Sequence, residues 1–144
     1  MLQDFLLKQG YTKIKLHLTK TNHFEIIAKI NGVKGLFILD TGASNSCVDF
    51  GTSNMFKLIV KDSDIKAAGA GATDMKTQVS NHNNFTIGKW KKDKVVLVLF
   101  SLTHVNIALT NHNSKPVDGI IGADILKKGK AIIDYEKKYL YLKL

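Results

Sequence analysis

An acid, Asp40, closes an apolar run formed by Leu36, Phe37, Ile38 and Leu39, and small residues follow it: Thr41, Gly42, Ala43 and Ser44. Burying a lone carboxylate costs several kcal/mol, roughly, unless donors or a partner meet it. The residues after Asp40 suit that need. Thr41 and Ser44 carry hydroxyls, and Gly42 lets the backbone turn sharply and bring an N–H close to the carboxylate. The segment is built to hold an acid in an apolar setting with its oxygens still usable.

The chemistry open to such an acid is proton sharing. Two carboxylates about 3 Å apart hold one proton between them, because both cannot ionise at that distance. One then acts as base toward a water and the other as acid toward a carbonyl, and the pair titrates as a unit. The chain holds a single Asp-Thr-Gly. A second acid must then come from a second copy, across a two-fold axis that sets Asp40 beside its mate. Asp118 and Asp124 are weaker candidates for an intrachain pair. Asp118 reads as a solvated turn residue, and Asp124 as a solvated acid near a helix N-terminus, where negative charge is favoured.

Other chemistry fares less well. Cys47 lies three residues past Ser44, but no His follows it at a recognisable spacing, and it reads as a small buried residue. The five His stand apart at 17, 23, 82, 104 and 112 and read as surface or loop residues, three of them preceded by Asn as in turns. No metal cluster is expected. Gly69-Ala70-Gly71 lacks both the third Gly of a dinucleotide loop and the Gly-Lys-Ser/Thr of a phosphate loop. It reads as a hairpin tip.

The chain has 144 residues, the length of one ordinary domain. Its formal net charge is +9, and all 21 basic residues are Lys. Bidentate readout of bases and phosphates favours Arg, so specific nucleic-acid recognition is not expected. The lone Cys forms no internal disulfide, which suits a reducing compartment. Residues 1–10 lack the basic start and unbroken apolar run of a signal peptide, and no stretch approaches the roughly 20 apolar residues that span a bilayer. A cytoplasmic protein without membrane contact is the expectation.

The elements that must position Asp40 are mostly strands. Ile14, Leu16 and Leu18 alternate with polar residues, as do Phe24, Ile26, Ala28 and Ile30, in the two-residue period of half-buried strands. Asn31-Gly32 is a tight-hairpin signal, and residues 33–39 return as a strand whose apolar end suggests cover on both faces. Residues 53–60 suit a turn or short helix. Residues 85–87, 94–102, 105–109 and 117–121 read as further strands, with residues 89–92 as a solvated hairpin end. Residues 122–128 read as a short helix capped by Gly129. Residues 131–135 and 139–143 form a final hairpin. The expected class is mostly β, a closed or folded-over sheet. Residues 1–12 are read as an N-terminal extension with a possible short helix, and 13–144 as the domain.

Two separated motifs carry a resemblance. One is the apolar run into Asp40-Thr41-Gly42-Ala43-Ser44. The other is Val117-Asp118-Gly119-Ile120-Ile121-Gly122-Ala123-Asp124-Ile125-Leu126. With Gly69-Ala70-Gly71 between them, the sequence resembles the retropepsin-like aspartic peptidases, single-domain relatives of pepsin that include retroviral proteases. The resemblance covers roughly residues 24–144. It implies a single-domain closed β-barrel with a flap hairpin and one short C-terminal helix. Asp40 would be the catalytic carboxylate, Thr41 would lock the two site loops across the axis, and Gly42 would present its N–H to the dyad and to substrate. Ala43, Ser44, Ile120 and Ile121 would meet substrate or pack under the loop, and Ala68, Gly69, Ala70 and Gly71 would form the flap tip.

The resemblance thus implies a homodimeric endopeptidase acting on peptide or protein chains, with water as nucleophile and no cofactor. A catalytically silent dimer that binds peptides or partner proteins is the alternative. The chain is longer than a minimal viral protease, the extra residues falling in the first ten or so and in 81–113. The C-terminal hairpin therefore need not pair across the dimer as viral tails do.

Overall fold

A computed structural model describes residues 1–63 and 76–144. In chain order the elements are α1 (Leu2–Lys8), β1 (Tyr11–Lys15), β2 (His17–Leu18), β3 (Phe24–Ile30), β4 (Val33–Leu39), β5 (Cys47–Asp49), a 3₁₀ turn (Phe50–Thr52) and β6 (Val60–Ser63). There follow β7 (Thr77–Ile87), β8 (Trp90–Phe100), α2 (Thr103–Asn111), β9 (Gly119–Ile121), α3 (Ala123–Lys128), β10 (Ile132–Asp134) and β11 (Tyr139–Lys143). The expected flap-tip residues Ala68, Gly69, Ala70 and Gly71 lie outside the described residues.

The β3–β4 hairpin turns on Asn31 and Gly32, whose φ angles of 51° and 82° are both left-handed. That pair of angles matches the twist of the flanking strands, which is why Asn-Gly serves here. Strand order runs β3-β4-β9-β5-β8-β7, and β7 pairs back onto β3 through Lys29↔Thr86 and Ile30↔Phe85. The mostly β chain therefore closes into a six-stranded barrel, which removes the exposed edges of those strands. Phe24, Ile26, Ala28 and Ile30 fill its interior with Phe37, Leu39, Phe85 and Leu97.

The apolar end of β4 has a direct cause. The strand sits between β3 and β9 and is covered on both faces. Phe37 and Leu39 point into the barrel, while Ile38 joins a second apolar cluster with Cys47, Val98, Leu109 and Ile120.

That second cluster lies against α2, where residues 105–109 were expected to form a strand. The alternation of Val105, Ile107 and Leu109 suggested one, but Ile107 is 51% exposed. Leu102 and Leu109 are the buried pair, seven apart, with Val105 packed beside them, which is a helical period. Asn106 fixes the helix to the chain entering β9. Its Nδ2 donates to the Val117 carbonyl at 3.1 Å, and its Oδ1 accepts from the Val117 N–H at 2.8 Å.

Residues 89–92 are likewise not a solvated hairpin end. The turn is Gly88-Lys89, with Gly88 at φ 57°, and Trp90 already pairs with Ile87 inside the barrel core. Asn81 and His82 belong to β7, at an irregularity where the pairing with β8 shifts between Ser80 and Asn83. Such a shift bends a strand and sharpens its twist. Buried Asn83 satisfies the bend by donating to the Ser80 and Val95 carbonyls and accepting from Asn31 Nδ2 at 3.0 Å.

A smaller sheet runs β1-β11-β10, with β11 in the middle. β1 starts at Tyr11, inside the residues first read as an extension. Gly129 ends α3 with φ −86°, not a left-handed angle. A Cβ there would meet Leu142 Cδ2 at 2.7 Å, so a larger residue would force the buried Leu142 side chain to shift.

Candidate active site

Asp40 is the first residue after β4. The parallel pairing of β4 with β9 sets Ile38 beside Ile120 and Leu39 beside Ile121, and the Asp40 N–H donates to the Ile121 carbonyl at 2.9 Å. The two sequence motifs therefore meet in space as adjacent strands. The loop beyond Asp40 turns back at once, with the Ala43 N–H on the Asp40 carbonyl at 3.2 Å. In that turn the Gly42 N–H donates to Asp40 Oδ1 at 2.9 Å. Among the described residues no donor meets Oδ2, so one carboxylate oxygen is held and the other is free. Asp40 is half-buried, whereas Thr41, Gly42 and Ser44 are exposed.

The loop is stapled to α3 from below. The Ala123 N–H donates to the Ala43 carbonyl at 2.7 Å. Ser46, fully buried, donates from both its N–H and its hydroxyl to the Asp124 carboxylate, the hydroxyl at 2.7 Å. The Gly122 N–H in turn donates to Ser46 Oγ at 2.8 Å, and the Ile125 N–H caps the same Asp124 oxygen. Gly122 must be small, since a Cβ would stand 2.6 Å from the Ala43 carbonyl oxygen.

Asp124 thus sits in the first turn of α3 but is not a solvated acid: it holds the site loop. Asp118 is not solvated either. Its Oδ2 accepts from the Leu36 N–H at 2.9 Å, and its own N–H donates to the Leu36 carbonyl. Both acids brace β4 and its loop, and neither lines the cavity onto which Asp40 opens. Cys47 is buried beneath the loop, and burial pushes its thiol up to about 12, with the nearby Asp124 and Asp40 charges adding to the rise. At neutral pH it is an inert thiol.

Asp40 opens onto a cavity of about 290 Å³. Ile38, Ile120, Val105 and Leu109 give it an apolar lining, and His23 and His104 add two imidazoles. Ile121, by contrast, has no exposed surface and packs in the barrel core. Thr41 lines a different depression, with Ala123, Leu126, Lys127, Ala131 and Ile133. Sequence reasoning had set His23 and His104 aside as surface residues. They are exposed, but the β2–β3 turn and α2 bring them to the Asp40 cavity.

The comparisons fall on the same residues. A family model described as aspartyl protease matches residues 26–125, from the middle of β3 to α3, and so spans both motifs. The chain belongs to that family. Among solved structures, a retropepsin-like aspartic protease from Rickettsia conorii matches with TM-score 0.61 at 20% identity, covering 92% of this chain and 89% of that one. The retroviral protease-like domain of Ddi1 from Leishmania major matches with TM-score 0.56 at 16% identity, over 90% of this chain and 88% of that one. An EIAV protease complexed with the inhibitor HBY-793 matches with TM-score 0.56 at 20% identity, over 76% of this chain and 90% of that one. No curated protein matches the chain. The fold is retropepsin-like, and among the described residues no helix is long and apolar enough to cross a membrane.

Proposed function

We propose that this aspartyl protease family member is an endopeptidase that works as a homodimer, with water activated between Asp40 and the Asp40 of a second copy. The observation that carries the reading is the state of the Asp40 carboxylate. Oδ1 is fixed by Gly42, and Oδ2 is left for a partner or water at the edge of a cavity. One such acid is incompetent, and two sharing a proton supply both base and acid.

Thr41 supports the pairing. It is exposed beside Asp40 on a depression formed partly by Ala123, Leu126 and Ile133, an apolar surface that a second copy would cover. A cleft built this way takes an extended peptide, with Gly42, Ala43 and Ser44 offering backbone and small side chains to it. No cofactor enters the step, since water is the nucleophile.

The test is cleavage of a denatured protein or peptide mixture by the purified chain. Cleavage is expected to be blocked by a statine-type inhibitor and to fall to background in Asp40→Asn, with the circular dichroism spectrum unchanged. Cleavage that survives Asp40→Asn contradicts the proposal. Peptide binding without any cleavage selects the silent-dimer reading instead.

A further inference from the structure

His23 is held by a short chain of hydroxyls. Its Nδ1 lies 2.8 Å from Thr21 Oγ1, which lies 2.7 Å from Thr19 Oγ1. Thr19 Oγ1 also accepts from the His23 backbone N–H at 3.1 Å. Each hydroxyl has one proton to donate. If Thr19 donates to Thr21 and Thr21 donates to Nδ1, both protons are used. In the reverse direction Nδ1–H donates to Thr21 and Thr21 to Thr19. The proton of Thr19, a buried residue, is then left without an acceptor among the described residues. The first order is therefore favoured, because an unmet buried donor is costly. It makes Nδ1 an acceptor and puts the ring proton on Nε2, which no described residue meets.

His23 thus brings an N–H donor to a cavity that Ile38, Val105, Ala108, Leu109 and Ile120 make mainly apolar, with Thr21 beside it and Asp40 at its edge. His104 adds a second imidazole to the same lining. We infer that this cavity is a specificity subsite for a glutamine-like side chain next to the scissile bond. Its apolar stem packs on Ile38, Ile120 and Leu109, and its carbonyl oxygen accepts from His23 Nε2–H. A carboxylate tip satisfies the same donor but meets the Asp40 charge, so a carboxamide ranks above it. The inference rests on the peptidase reading for its place beside the scissile bond.

The experiment uses one peptide series that differs only in the residue flanking the scissile bond: Gln, Glu, Met or Lys, all with similar stems. In the wild type, kcat/KM for Gln is expected to exceed that for Met by about tenfold, the worth of one net hydrogen bond. That ratio falls toward one in His23→Phe. It falls part-way in Thr21→Val, which keeps His23 but frees its ring. Nitrogen-15 spectra of the imidazoles are expected to show His23 as the Nε2–H tautomer in the wild type.

Equilibrium binding of the same peptides, read by fluorescence anisotropy, separates the two ideas. A Gln preference in binding without cleavage ends the peptidase reading and keeps the subsite. Cleavage with no Gln preference, a ratio unmoved by His23→Phe, an Nδ1–H tautomer, or no binding of the Gln peptide overturns the subsite.

Discussion

At the scale of single residues, the site depends on which polar atoms are left over. Asp124 receives the Ser46 N–H, the Ser46 hydroxyl and the Ile125 N–H. Asp124→Ala would strand the buried Ser46 donors. It is expected to lower unfolding free energy by about 2–4 kcal/mol, measured by urea titration, since each bond to a charged acceptor contributes about 1.5–3. Asp124→Asn keeps an acceptor and is expected to lose less. Cys47 gives a pH signature. Its thiol is raised from 9.0 to about 12 in the fold, so its contribution to stability is complete below 9.0 and is lost as pH climbs toward 12. Thermal melts over that range are expected to fall more steeply in wild type than in Cys47→Ala. Asp40 was legible in the sequence because an acid after an unbroken apolar run demands donors, and Thr and Gly follow at once. The Ser46–Asp124 staple was not, since its two ends are 78 residues apart and each alone suits a solvated turn or cap. His23 follows a turn Asn and His104 carries no local pattern, neither of which points to a site, and only the folded chain brings them to one cavity.

Among the elements, the decisive contact is the parallel pairing of β4 with β9, which carries Asp40 to the end of a covered strand and lets α3 support the loop. Gly122 is the hinge of that arrangement. Gly122→Ala would press a methyl against the Ala43 and Asn45 carbonyls at 2.6 and 3.1 Å, both backbone atoms that cannot swing away. A loss of about 1–3 kcal/mol in stability is expected, typical of forced overpacking, together with lower activity because the loop itself must shift. The β3–β4 hairpin and the closing β10–β11 pair were readable from alternation and turn residues. α2 was not, because Val105, Ile107 and Leu109 satisfy a two-residue period as well as Leu102 and Leu109 satisfy a helical one. Burial against Ile38, Cys47 and Ile120 settled the choice, and that cluster is assembled from four distant segments. Lys91 and Lys92 misled in the same way. Exposed lysines at the start of a barrel strand look like a loop, although Trp90 beside them is core.

For the whole molecule, the closed barrel accounts for stability, while the proposed function asks for a second copy. β11 has β1 on one side and β10 on the other, so neither of its edges is free for a partner strand. A dimer of this chain must use another surface, and the exposed Thr41 face with Leu126 and Ile133 fits the two-fold requirement set by Asp40. The most direct measurement is a mixing titration at a fixed amount of wild-type chain. Asp40→Asn chain is added, subunits are allowed to exchange, and cleavage rate is followed. If two Asp40 residues are needed and copies pair at random, an equal amount of variant lowers the rate to about half, and a tenfold excess to about a tenth. A rate that stays constant under that excess, with exchange shown by fluorescence energy transfer between labelled chains, would mean that one chain suffices and would contradict the shared-proton account.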